Sequence, residues 1–201
     1  VSASSHIPAL TVVMPLFFAF LMPLLARWRK NWCAPATVAV LIFTFLSSLH
    51  LAVRVMSSGP FAYHMGNWPP PWGIEFSVDY LAVFTAITLS GIGLPVIVYA
   101  TRDLLHELKP GVIGWYYTLY LLLIASMLGI AMTNDLFNLF VFMEICAIAS
   151  CAIISIKESR ECVEAAFKYL VLSAIGSGCL LLAIALIYMV TGHLNFTFVA
   201  E

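Results

Sequence analysis

Long apolar runs separated by short polar stretches set the pattern of this chain. Six of them approach or exceed the roughly 20 residues that a helix needs to cross a hydrocarbon layer. They cover approximately residues 7–26, 34–56, 80–100, 114–132, 136–156 and 163–190. Continuous runs, rather than ten-residue alternation, select helices over a membrane barrel, because a helix satisfies its own backbone hydrogen bonds in lipid. The expected fold is therefore an all-α integral membrane protein of about six transmembrane helices, forming a single membrane domain over residues 1–201. The largest polar interruption is the loop 57–79. Its segment Gly66 to Ile74 combines prolines 69–71, which forbid regular helix, with Trp68 and Trp72, which favour the headgroup layer. The flanks Phe61 to Met65 and Ile74 to Val78 are predicted to pair as a short hairpin capping the bundle.

Composition agrees with this reading: 63% of the residues are hydrophobic and 9% charged. The net charge of −1 is uninformative, but the nine Lys and Arg residues cluster in alternate loops. Arg27, Arg29 and Lys30 follow the first span, Arg102 and Lys109 the third, and Lys157 and Arg160 the fifth, so those loops are assigned to the cytoplasm and both termini to the outside. Arg54, at the outer end of the second span, is expected to snorkel to the interface. The first apolar segment is read as a true span rather than a signal peptide, since no basic segment or small-residue cleavage site accompanies it. The expected location is the plasma or inner membrane of a prokaryotic cell.

Enzyme chemistry finds little support. Phosphate loops, basic nucleic-acid surfaces and nucleophile–base patterns are absent from the sequence, so nucleic acid is excluded as a partner and catalysis by this chain alone is not expected. The five cysteines, at 33, 146, 151, 162 and 179, show no CxxC spacing and are read as small packing residues. His64 and Glu75 fall short of a metal's usual coordination set. Neither metal nor cofactor is expected.

One carboxylate stands out. Glu144 lies in the otherwise apolar run Leu136 to Ile156, roughly 13 Å along a helix from Asp135 and so near the middle of a 30 Å hydrocarbon layer. A charge there costs at least about 2.5 to 3.5 kcal/mol on insertion scales and usually faces a polar interior that carries ions or protons. Asp135, after Thr133 and Asn134, reads as the cap of that helix. Lys168 is the obvious cation in the sixth span, close enough to the charged turn Lys157 to Glu161 for its stem to reach the interface, and Glu164 is one helical turn away from it.

The stretch Thr133-Asn134-Asp135-Leu136-Phe137-Asn138-Leu139-Phe140-Val141-Phe142-Met143-Glu144 resembles the fifth-helix signature of the antiporter-like family, which includes members from Mrp cation/proton antiporters, the proton-pumping subunits of complex I, and their membrane-bound hydrogenase relatives. Ala166 to Leu170, the small cluster Ser173 to Gly178, and the turn Thr191-Gly192-His193-Leu194-Asn195 are similar to the sixth helix and its exit. The resemblance implies that Glu144 is the half-channel glutamate and Lys168 the sixth-helix basic residue of a fourteen-helix fold with two inverted repeats. Only the first six helices of that fold have counterparts here. The expectation is a subunit of a multi-subunit membrane complex, contributing to proton or sodium/proton translocation through a buried pair of Glu144 and Lys168. Asp135, Glu164 and His193 are accessory candidates. The expected partners are the lipid bilayer and other membrane subunits, among them a chain supplying the missing helices. The alternative is an assembly anchor for a hydrogenase-like or other respiratory oxidoreductase complex, with no ion path of its own.

Overall fold

The computed structural model describes residues 6–68, 70, 72–109 and 111–200, with the side chains of Lys30 and residues 105–107 left aside. Prolines 69 and 71 of the outer loop lie outside the described residues. Six helices are long and apolar enough to cross a membrane. They are α1 (Ile7–Trp28), α2 (Cys33–Ser58), α3 (Tyr80–Glu107), α4 (Ile113–Met132), α5 (Leu136–Ser155) and α6 (Arg160–Thr191), followed by a single turn, α7 (Phe196–Val199). Several ends are fixed by side chains that satisfy orphan amides. Asp79 accepts from the Ala82 amide at 2.7 Å, Asp135 from that of Asn138 at 2.7 Å, and Ser159 from that of Cys162 at 3.2 Å. Gly192, at φ +71°, supplies the left-handed residue that stops α6.

Helices α1 to α4 close into a ring in which each packs on the next and α4 returns to α1. Met22, Leu41, Leu51, Ile97 and Leu121 are fully buried in it. Hydroxyls buried with them return their hydrogens to carbonyls of the preceding turn: Thr37 to Cys33, Thr44 to Val40, Ser48 to Thr44 and Ser90 to Ala86. This local bonding lets small polar residues pack in a core without water. Helices α5 and α6 stand outside the ring. α5 leans on α4, and α6 packs on α5. Burial falls accordingly, from 56% of the apolar window in α4 to 11% in α5 and 6% in α6.

The outer loop forms the expected hairpin. β1 (Phe61–His64) pairs antiparallel with β2 (Glu75–Val78), with Phe61 opposite Val78 and His64 opposite Glu75. Alternation along β2 drives Phe76 and Val78 into the outer end of the ring, at 1% and 0% exposure. The Arg54 guanidinium stacks 4.1 Å above the centre of the Phe61 ring, so this outer cation is held by an aromatic face at the hairpin.

The α4–α5 seam depends on one close approach. A Cβ on Gly129 would sit 2.5 Å from the Phe142 ring, and Phe142 is 9% exposed. Gly129→Ala should therefore lower the detergent unfolding midpoint by the equivalent of about 1–3 kcal/mol, the usual cost of overpacking. Adding Phe142→Leu should recover part of that loss in the same thermal melt.

Candidate functional site

Glu144 is half-buried, and its carboxylate meets no hydrogen-bond donor or cation among the described residues. Helical geometry places it. Two residues from Phe142, it lies about 200° round the helix, away from α4; seven from Cys151, it lies within about 20° of that residue. Cys151 faces α6, with its Sγ donating to the Ala166 carbonyl at 3.3 Å. Glu144 thus points to the side of α5 that α6 partly covers.

Lys168 does not meet it. The face of α6 turned to α5 carries buried Ala166 and Ile184 and half-buried Ser173, Ser177 and Leu180, at spacings that keep one side. Lys168, two residues from Ala166, is about 200° round from that face. It is about 3 Å along α6 from the Cys151–Ala166 contact, whereas Glu144 is about 10 Å along α5 from it. Lys168 Nζ instead bonds Glu164 Oε1 at 2.7 Å, with both side chains well exposed, at 70% and 58%. A further lysine–glutamate pair, Lys109 with Glu158, is also exposed and joins the two inner loops at 2.5 Å. The expected buried Glu144–Lys168 pair is therefore corrected: among the described residues there is none, because the lysine lies on the wrong face of its helix.

At the outer end the chain builds a polar knot that the sequence pattern does not announce. Glu75, 13% exposed, accepts from the Asn134 side-chain amide at 3.1 Å and from that of Asn195 at 3.2 Å, with His64 Nε2 3.6 Å from its second oxygen. Backbone bonds reinforce the knot: the Asn134 amide donates to the Glu75 carbonyl, Leu136 to Leu194, and Phe196 to Asn134. The hairpin, the α4–α5 turn and the α6 exit thus converge on one carboxylate. The available signal was Glu75 itself, a charge directly before the buried strand residue Phe76. His64 and Glu75 do lie side by side, but among the described residues no group of three metal-ligating side chains forms.

Two accessory candidates come together beside the knot. Asp135 and His193, with Tyr188, Gly192 and Asn195, line a pocket of about 120 Å³. His193 Nδ1 is buried there without a hydrogen-bond partner among the described residues, and its ring packs on Phe198 at 5.4 Å. The pocket is polar and roomy enough for ordered water. Glu164 lies at the opposite, inner end with Lys168, so the accessory candidates divide between the two membrane faces.

Residues 133–201, which hold Glu144, Lys168 and most of the residues lining this pocket, match the profile of the family described as NADH:quinone oxidoreductase/Mrp antiporter, TM. The chain is 36% identical over 196 residues to NADH-quinone oxidoreductase subunit N of Desulforudis audaxviator, covering 96% of this chain and 38% of that one. A chain of the membrane-bound sulfane sulfur reductase, an archaeal respiratory membrane complex, superposes with a TM-score of 0.90 at 34% identity, over 97% of this chain and 39% of that chain. The chain belongs to the antiporter-like subunit family of Mrp antiporters, complex I and membrane-bound hydrogenases. A chain of the Mrp complex from Dietzia sp. DQ12-45-1b is a further structural neighbour of this antiporter-like protein, with a TM-score of 0.85 at 26% identity, covering 97% and 36% of the two chains. It is a multi-pass membrane protein of the bacterial and archaeal inner-membrane type, and it spans about two fifths of the length of these relatives.

Glu75→Ala should strip the acceptor from the buried Asn195 amide at a cost of about 1–3 kcal/mol. Glu75→Gln, which keeps one acceptor oxygen, should cost less. Thermal unfolding, read with protease cleavage of the 59–79 loop, checks both, and Glu75→Ala should raise the cleavage rate.

Proposed function

We propose that this antiporter-like chain is one subunit of a larger membrane complex and contributes to ion translocation there, with Glu144 as the group that takes up and releases a proton. The observation that carries this reading is a lone carboxylate near the middle of a membrane helix, with no cation among the described residues to neutralise it. A carboxyl group inside a membrane can exchange a proton as the charges and packing around it change. The family match over the segment that contains it supports the same reading. Asp135 and His193 form an outer polar vestibule one helix segment away, and their proposed part is to keep water near the outer end of α5.

Lys168 has a separate proposed part. It holds positive charge at the inner end of α6, braced by Glu164, and influences protons arriving from the cytoplasm rather than Glu144 directly. Neighbouring membrane segments of such a complex cover the exposed faces of α5 and α6. This is supported by the sparse burial of α5 and α6 and by structural neighbours that are parts of multi-subunit complexes. The exposed Lys168–Glu164 pair, which leaves Glu144 without the expected buried cation among the described residues, favours a second reading, an assembly anchor without an ion path of its own.

Ion flux into proteoliposomes carrying the complex separates these readings. Glu144→Gln should cut flux by at least about tenfold, a loss of about 1.4 kcal/mol, with subunit composition unchanged. Unaltered flux would support the anchor. Lys168→Gln should reduce flux less, and the two changes should combine additively, as sites without a shared contact do.

A further inference from the structure

At the cytoplasmic ends of α3, α4 and α5 lies a groove of about 420 Å³, within the roughly 300–1,000 Å³ range of small-molecule sites. Leu104, Leu108 and Ile153 form its apolar wall, and the Tyr99 and Tyr116 rings flank it. From Tyr99 to Leu108 it follows α3 for about 13 Å, from the inner edge of the hydrocarbon towards the basic loops. Tyr116 is braced by stacking on Tyr120 at 6.1 Å. The exposed Trp115 and Tyr99 place this level at the inner headgroup boundary, where aromatic rings with a polar tip concentrate.

The rim carries both signs of charge, and they are not equivalent. Lys157 is already engaged within the chain. Asp103 is exposed and, among the described residues, accepts no hydrogen bond and forms no ion pair. The neighbouring Lys109–Glu158 pair links the two loops behind the rim. An occupant that complements this groove has an apolar chain, a negative group within the field of Lys157, and a cationic hydrogen-bond donor for Asp103. We propose that the groove binds a phospholipid with a primary-amine headgroup, of the phosphatidylethanolamine class. The amine donates to the Asp103 carboxylate, the phosphate lies towards Lys157, and an acyl chain runs along the Leu104–Ile153 wall.

This selection runs against the general pull of the inner loops. Basic residues at a cytoplasmic surface favour anionic lipids by about 1 kcal/mol each, so they alone would recruit a glycerol headgroup. A quaternary choline headgroup carries the positive charge but has no N–H for Asp103.

The test is native mass spectrometry of the full chain, purified with its membrane partners and exchanged into nanodiscs that hold equal parts ethanolamine, choline and glycerol phospholipids. The expected result is a retained ethanolamine lipid, in excess over choline by at least about fivefold. Asp103→Asn should abolish that preference while leaving the unfolding midpoint in choline nanodiscs unchanged. Ile154→Trp, which fills the groove, should lower retention of every lipid and gives a readout if Asp103→Asn does not fold. Equal retention of ethanolamine and choline, selective retention of the glycerol lipid, or a preference unmoved by Asp103→Asn would overturn the proposal. So would unchanged retention in Ile154→Trp.

Discussion

Glu75 holds together elements that would otherwise have little reason to stay in register. α5 and α6 bury few residues, and hydrocarbon provides no hydrophobic drive for one apolar helix to seek another. What fixes them is close packing at Gly129 and Phe142 and the outer knot, where one carboxylate receives amides from the α4–α5 turn and the α6 exit. A half-buried acceptor shared by two asparagines is directional in a way that apolar contact is not. It sets the point from which α5 descends, and therefore the depth and bearing of Glu144.

From that anchor the division of labour follows. The ring of α1 to α4 is closed, well buried and internally satisfied, with its hydroxyls returned to its own backbone. The polar groups with unspent capacity discussed above lie away from the ring's core: Glu144 on α5, His193 Nδ1 at the α6 exit, and Asp103 on the inner rim. A rigid ring carrying two sparsely covered helices suits a subunit whose working surface is completed by neighbours. The same surface serves the proposed ion path and the proposed assembly role, and Glu144 is what distinguishes them.

Much of the fold was legible because hydropathy and capping are local. Six apolar runs became six helices, Asp135 capped α5, and the hairpin strands alternated as strands with one buried face do. The bearing of Lys168 was not legible. α6 is apolar on nearly every side, so no stripe of polar residues marks its inner face, and the face is set by contacts with another helix. The Cys151–Ala166 contact decides it, and a sequence read one helix at a time cannot supply that pairing. The role of Glu75 was hidden for the same reason, since its partners are 59 and 120 residues away along the chain.

The proposed role of Glu144 is to exchange a proton while embedded in the membrane. Infrared difference spectra of the reconstituted complex, recorded across a pH titration with ¹³C-labelled glutamate, test it most directly. The expected result is a protonated carboxyl band that titrates reversibly and is missing in Glu144→Gln. A spectrum in which that substitution removes no titrating band would contradict it, leaving Glu144 a fixed structural group.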